Sequence, residues 1–346
     1  MTLLSVILPV YNGGHYVEAA VASIQRQTWR DFELIVIDDG STDQTLKILQ
    51  KLAALDSRIV LISRENRGLV ATLNEGIDRA RCNWIARMDA DDIALATRFE
   101  RQLHWLEKTG ADICGTWVQL TGTPDRRVLA HPVSMGAIEV GLLFGSPLAH
   151  PSVMMRRELA SRLRYDPAWD SCEDYELWER AFRAGASITN IPEVLLEYRL
   201  HANQVSATRA SRQLALTQQI RRRCWTHFLA SRSIENPQWT DEVLKLREDR
   251  PPPVDIDLVE RCFEVLLGSL DGEAKATMFH HMTHLFQRAG ASGIAAASAW
   301  SRLNRRFGAG GALSTRLQLA LLGLFGWGPA DPAYRWLKAV SFRFGG

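Results

Sequence analysis

Leu3-Leu4-Ser5-Val6-Ile7-Leu8-Pro9-Val10 runs directly into Tyr11-Asn12-Gly13-Gly14, and Phe32-Glu33-Leu34-Ile35-Val36-Ile37-Asp38 runs into Asp39-Gly40-Ser41-Thr42-Asp43. Each is a short apolar, β-branched run that stops at a cluster of turn formers, and Gly14 to Gln27 between them carries apolar residues at helical spacing. Strand, helix and strand in that order predict a parallel sheet wrapped by helices. The pattern continues outward. Arg58 to Ser63, Trp84 to Met88 and Asp112 to Trp117 read as further strands, and Asp43 to Ala54 and Leu69 to Arg79 as helices. The fold class expected is α/β, with a Rossmann-like, mostly parallel central sheet and flanking helices.

Strand signals at Pro151 to Met155 and Val194 to Leu200, and a helical one at Asp174 to Ala184, extend the same domain to about residue 206. Beyond it helix formers dominate, broken by Pro251-Pro252-Pro253, which no helix interior accepts. The organisation predicted is a catalytic domain over 1–206 and a C-terminal α-helical region over 207–346. A length of 346 residues suits that division, and 46% hydrophobic with 23% charged residues argues against long disorder.

Charge excludes little. Lys+Arg 41 against Asp+Glu 39 leaves +2, too small an imbalance to predict a nucleic-acid partner. The five cysteines are scattered without a C-x-x-C pair, so reduced thiols in a cytoplasmic protein are expected rather than a disulfide framework or a thiolate zinc site. The apolar start lacks a basic leader and cleavage site, and no uncharged run reaches the roughly 20 residues of a membrane-spanning helix.

One local bias stands out after residue 300. Arg302, Arg305, Arg306, Arg316, Arg335, Lys338 and Arg343 face a single acid, Asp331, among Trp327, Trp336, Phe342, Phe344 and the Leu317 to Leu324 run. Two readings fit: a basic amphipathic segment on a membrane surface, or a helix docked on the catalytic domain with its arginines in water.

Ligands of an open parallel sheet bind beyond the carboxyl ends of its strands, so the loops after the first two strands should open onto one crevice. The G-x-G-x-x-G of a dinucleotide site is absent, whereas Tyr11 could stack on a base and Asp39 could bind a base N–H or a ribose hydroxyl. Asp38 as a turn former and Asp43 as a helix-start residue are the plainer alternatives.

Arg87-Met88-Asp89-Ala90-Asp91-Asp92 is the sharpest feature, because three carboxylates in four residues repel one another unless a cation or donors offset them. The ion expected is hard and divalent, magnesium or manganese, and it would bridge the protein to diphosphate oxygens. A second acidic pair, Glu173-Asp174, opens a helix. It is either a dipole partner of that helix or a general base positioned for an acceptor hydroxyl. His280 and His284 lack the intervening Glu of a zinc helix, and Arg221-Arg222-Arg223 reads as a solvated or acid-paired helix face, or as a site for an anionic lipid-linked acceptor.

Taken together, Ser5 to Asn12, Ile37 to Asp43, Glu65-Asn66-Arg67-Gly68, Ala86 to Asp92 and Glu173-Asp174 resemble the motifs of family 2 glycosyltransferases with the GT-A fold, over roughly residues 3 to 206. The resemblance implies inverting, metal-dependent transfer of a sugar from a nucleoside-diphosphate donor, usually a UDP-sugar, to a glycan or lipid-linked acceptor of a cell-surface polysaccharide. Pro9 and Tyr11 would line the base pocket, Asp39 would bind uracil, and Asp89 would meet the ribose or the metal. Asp91, with Asp92 as helper and His201 as a further contact, would hold Mn2+ or Mg2+. Asp174 looks like the catalytic base, with Glu173 supporting it, and His150 would lie towards the acceptor. Such an enzyme would work in the cytoplasm, peripherally at the inner face of the membrane. Two other readings remain: a non-catalytic sugar-nucleotide or glycan-binding scaffold, and a nucleotidyltransferase, whose glycine-rich basic loop is missing. Cys82 departs from the pattern, standing where glycine is common and where a left-handed turn would follow.

Overall fold

The computed structural model describes residues 4–124, 126–201, 210–248, 250–308 and 313–336. By its internal contacts the chain divides into two units, 1–138 with 145–220, and 139–144 with 221–346. The boundary expected at residue 206 lies outside the described residues.

In the first unit, β1 (Leu4–Val10), α1 (Val17–Gln25), β2 (Phe32–Asp38), α2 (Thr45–Leu55), β3 (Ile59–Ser63), α3 (Leu69–Arg79) and β4 (Trp84–Arg87) form the expected alternation. β1 and β2 are buried along their whole length, which is why they read as unbroken apolar runs rather than alternating ones. β1 pairs in parallel with β2 on one side and β4 on the other, and β2 pairs in parallel with β3. Strand order therefore reverses at β1, and the parallel pairing brings the carboxyl ends of β1, β2 and β4 to one edge of the sheet.

The rest of the sheet is mixed. After the short β5 (Ile93–Ala94) and α4 (Arg98–Thr109) come β6 (Ile113–Thr121), β7 (Val128–Leu129), α5 (Met135–Leu142), β8 (Met154–Arg156), α6 (Arg157–Leu163), α7 (Glu173–Arg183) and β9 (Ile188–Arg199). β8 runs antiparallel to both β4 and β6, and β9 runs parallel to β6 but antiparallel to β5. The strand expected from Pro151 begins only at Met154, because residues 150–152 form a turn of 3₁₀ helix with the proline near its start. The turn at Cys82 uses no left-handed residue: its amide donates to Ser5 Oγ at 3.1 Å, and Cys82 is not among the positive-φ positions. All five cysteines are free and buried.

The second unit is helical: the end of α8 (Ala210–Ala230), α9 (Pro237–Lys245), α10 (Ile256–Ser269), α11 (Gly272–Arg288), α12 (Ile294–Phe307) and α13 (Leu313–Phe325). After the proline run, α10 starts at an Asp255 cap whose carboxylate accepts the Leu258 amide at 3.0 Å. Residues 139–144, from far earlier in the chain, belong to this unit's core. The Phe144 ring stacks on His281 at 4.3 Å and meets Trp225 edge-on, while its carbonyl accepts from Arg221 and Arg247 at 3.0 Å each. Among the described residues no helix is long and apolar enough to cross a membrane.

Candidate active site

The loops after β1 and β2 are stitched to each other. The Asn12 amide donates to Ser41 Oγ and the Thr42 amide to Asn12 Oδ1, both at 2.8 Å, while the Gly14 amide donates to Asp43 Oδ2 at 3.1 Å. Asp43 also accepts from the Thr45 amide at 2.9 Å, so the helix-start reading of this residue holds. Asp38 accepts from the Ser41 amide and from Ser63 Oγ, a turn former as well. Tyr11 projects from this paired platform with 54% of its surface exposed, and Pro9 is buried in β1 opposite Ile37.

Asp39 does something the sequence did not announce. Its buried carboxylate accepts from the Arg67 and Gly68 amides at 2.8 and 2.9 Å and from the Arg64 guanidinium, tying down the loop between β3 and α3. Gly40 next to it has φ +76°, and a Cβ there would sit 2.6 Å from the Asn66 amide nitrogen. The two loops approach too closely for any side chain at that point. One acceptor position on Asp39 Oδ2 is left by these three donors.

At the end of β4 the chain turns through the acidic cluster. One oxygen from each of Asp89, Asp91 and Asp92 lies within 4.8 Å of the others, and among the described residues no other group of three or more acids, histidines or cysteines is so disposed. The end of β9 clasps this turn: the Arg199 amide donates to Asp92 Oδ1 at 2.8 Å, Arg199 Nε donates to the Asp91 carbonyl at 2.9 Å, and His201 Nε2 meets Asp91 Oδ2 at 2.8 Å. The His201 ring stacks on Tyr16 at 5.1 Å. Burial, then repulsion from Asp89 and Asp91, pushes the Asp92 carboxyl well above its usual range, and its buried Oδ2 has no partner. Burial also raises Asp89, although Arg87 pulls it back. Three hard oxygen donors at one point, one of them buried and orphaned, fit a divalent cation of the magnesium or manganese kind.

The second acidic pair begins α7. The Ser171 amide donates to Glu173 Oε2 at 2.9 Å, and the amides that open the helix and the nearby Ser146 hydroxyl favour the charged form of Asp174. Gln213, early in α8, fixes the preceding turn by donating to the Ser171 carbonyl at 3.0 Å. A helix start favours negative charge, yet burial opposes it and prevails. Burial, with the Asp174 charge beside it, pushes Glu173 up to about 7, and burial raises Asp174 too.

Arg87 connects the two clusters. Its side chain is buried at the last position of β4 and paired with Asp89, and Nε and Nη1 have no partner. Its positive charge lowers Asp89, Asp92, Glu173 and Asp174 alike, and Asp174 in turn raises Asp89. His150 Nε2 meets Tyr165 Oη at 2.8 Å in the same neighbourhood, and burial together with Arg87 holds His150 neutral.

Asp89, Asp91, Asp92, His201, Glu173 and Asp174 thus share one electrostatic neighbourhood, with Arg87 and Tyr165 as members that sequence reasoning missed. The signal for Arg87 was available: an arginine in a short strand whose other residues are apolar. His280 and His284 lie edge to face at 4.5 Å in the helical unit, with His284 bonded to Gln287 at 3.0 Å, an ordinary helix face. Arg221 donates to the Phe144 carbonyl and Arg222 pairs with Asp241 at 2.6 Å, so that run serves the helical unit.

A family model described as glycosyl transferase family 2 matches residues 5–163. A glycosyltransferase of Haemophilus influenzae is 32% identical over 241 residues, covering 66% of this chain and 74% of that protein. The O-antigen biosynthesis glycosyltransferase WbnJ of Escherichia coli is 29% identical over 239 residues, covering 66% of this chain and 94% of WbnJ. Among solved structures, S. aureus TarS 1–349 in complex with UDP-GlcNAc aligns with a TM-score of 0.54 and 17% identity, covering 99% of this chain and 92% of that one. The mannosyltransferase PcManGT from Pyrobaculum calidifontis in complex with GDP-Man and Mn2+ aligns with a TM-score of 0.51 and 17% identity, covering 99% and 84%.

Proposed function

Because this chain belongs to the family 2 glycosyltransferases and has their GT-A fold, we propose that it moves a sugar from a nucleoside diphosphate, in the first place UDP, to a hydroxyl of a glycan or lipid-linked acceptor, with inversion. The observation that carries this reading is the meeting of two acidic clusters around the buried Arg87: one at the end of β4 suited to a cation, the other at the start of α7 suited to a proton. The products would enter a surface polysaccharide, as the name of WbnJ suggests for that relative. The enzyme would act in the cytoplasm, in peripheral contact with the membrane.

In this reading the loops after β1 and β2 receive the nucleotide. Pro9 and Tyr11 line the base, and Asp39 contributes its remaining acceptor position and the loop it orders. Asp91, with Asp89 and Asp92, would hold Mn2+ or Mg2+, and His201 would orient Asp91 through their 2.8 Å contact. The bound cation would supply charge stabilisation at the departing diphosphate, worth more in the transition state than in the ground state.

Asp174 would accept the proton of the attacking hydroxyl, and Glu173 would set its charge. Both lie where burial raises carboxyl pKa, towards the range a general base needs near neutrality. A direct displacement needs no enzyme nucleophile: the acceptor oxygen bonds to the anomeric carbon as the bond to the diphosphate breaks, and the proton passes to Asp174. The test is a panel of UDP-, GDP- and dTDP-sugars with manganese or magnesium, reading donor turnover, followed by the anomeric configuration of the transfer product. Turnover of a UDP-sugar and an inverted product are expected. A product that retains the donor configuration, or no turnover of any donor, would overturn the reading.

A further inference from the structure

The last helix of the described chain, α13, is anchored on one side and bare on the other. On its inner side Leu319 and Leu322 are buried, and Gln318 Oε1 accepts from Gln287 Nε2 at 3.1 Å in the interior. Gly323 lies so close to the start of α12 that a Cβ would be 2.7 Å from the Gly293 carbonyl oxygen. The helix is therefore fixed in rotation, and what it turns outward is set by packing.

What it turns outward is apolar. Leu317, Ala320, Leu321, Leu324 and Phe325 follow i, i+3, i+4, i+7 and i+8, one stripe of the helix, and all are exposed. The four large ones keep between 38% (Leu321) and 61% (Leu324) of their surface in water, and Trp336, a few residues on, keeps 65%. A contiguous apolar stripe of this kind marks an interaction surface, unlike the single exposed leucines found on any protein.

The surroundings identify the partner. Arg316 stands beside the stripe on α13, and Arg305 and Arg335 flank it in sequence; all three are exposed, and no ion pair to an acid is seen for them among the described residues. By contrast Arg302 and Arg306 of α12 pair with Glu260 and Glu264. An apolar stripe bordered by unneutralised arginines complements a surface that is oily within and negative at its rim. We infer that α13 lies on an anionic lipid bilayer, with Leu317, Leu321, Leu324 and Phe325 inserted at the headgroup boundary and Arg316 among the phosphates. Lys338, Phe342, Arg343 and Phe344, which continue the same composition, lie outside the described residues.

This deepens the peripheral contact proposed above and is independent of the sugar chemistry, so vesicle binding and donor turnover succeed or fail separately. The test is co-sedimentation of the full chain with vesicles of phosphatidylcholine, with and without phosphatidylglycerol. Binding is expected to favour the anionic vesicles, to weaken with salt, and to fall at least about tenfold in the Leu321→Glu/Leu324→Glu double variant. Because both leucines are exposed, the variant should fold, and unchanged donor turnover would verify that it has. Arg316→Ala should lose a few-fold on anionic vesicles and little on neutral ones. Absence of vesicle binding, or equal binding by the double variant, would overturn the inference. So would a dimer in sedimentation velocity that the double variant abolishes, which would give the stripe to a second copy of the chain.

Discussion

The two units treat charge in opposite ways. In the helical unit arginines are spread over the surface, some paired singly with acids as in Arg222–Asp241, Arg302–Glu260 and Arg306–Glu264, others such as Arg305 and Arg316 left in water, while Arg221 donates to a carbonyl. In the sheet unit Asp89, Asp91, Asp92, Glu173 and Asp174 crowd around one arginine, and burial raises four of the five carboxyls. Gathering and burying acids of one sign is costly, and water or a second arginine would relieve it cheaply. An excess of negative charge that folding does not remove is what the proposed roles, a cation at one cluster and a proton at the other, would use.

The strongest way to break this contrast is to neutralise a single acid at the start of α7. Asp174→Asn preserves shape while removing the proton acceptor. Sugar transfer should fall between about a hundredfold and ten-thousandfold, with donor binding by calorimetry little changed. Retention of more than about a tenth of the rate would place the base elsewhere.

The next effect separates the two clusters from one another. Asp91→Ala should abolish the gain in UDP affinity that manganese gives, by at least the roughly 10- to 100-fold that loss of an outer-shell partner costs a metal site. The same change should leave donor binding without metal where it was. If Asp91→Ala and Asp174→Asn produced the same phenotype, the assignment of cation and proton to different clusters would be wrong.

A smaller, pH-dependent effect sharpens the comparison. Burial raises Glu173 from 4.5 to about 7 in the folded chain. Between those values the folded state holds a proton that the unfolded state has released. The resulting stability is complete below about pH 4.5 and is lost as pH rises through about 7, by up to about 3 kcal/mol. Since Glu173 and Asp174 titrate as a unit, Glu173→Gln should shrink, without erasing, the fall in urea midpoint between about pH 5 and about pH 8. An unaltered slope would put the shared proton on Asp174.

The sheet was legible because β1 and β2 are buried on both faces and so appear as unbroken apolar runs ending in polar loops. The acidic clusters were legible because like charges at close spacing require compensation. Three things were not. Arg87 joins the clusters through space, and its strand gave only the hint of a charge among apolar residues. The Asp39 carboxylate lies on the loop of Arg67 and Gly68, nearly thirty residues on, a pairing no local pattern encodes. Residues 139–144 fill the core of the helical unit, far along the chain, so a linear division into domains misses them.

The smallest effect belongs to the helical unit and completes the comparison. Arg222 and Asp241 approach to 2.6 Å, shorter than many functional contacts, yet both side chains are more than half exposed. Water screens such a pair, and holding two long side chains in one geometry costs entropy, so the contact contributes at most about 1 kcal/mol. Arg222→Ala should change the stability measured by urea unfolding by less than about 0.5 kcal/mol and leave donor turnover unaltered. Arg87→Ala, removing a cation of the same chemistry from the interior, should instead leave the half-buried Asp89 and the buried Asp92 without their compensating charge and cost several times more. Equal costs for the two arginines would mean that burial does not distinguish the units, and the reading of the acidic excess as functional would lose its physical basis.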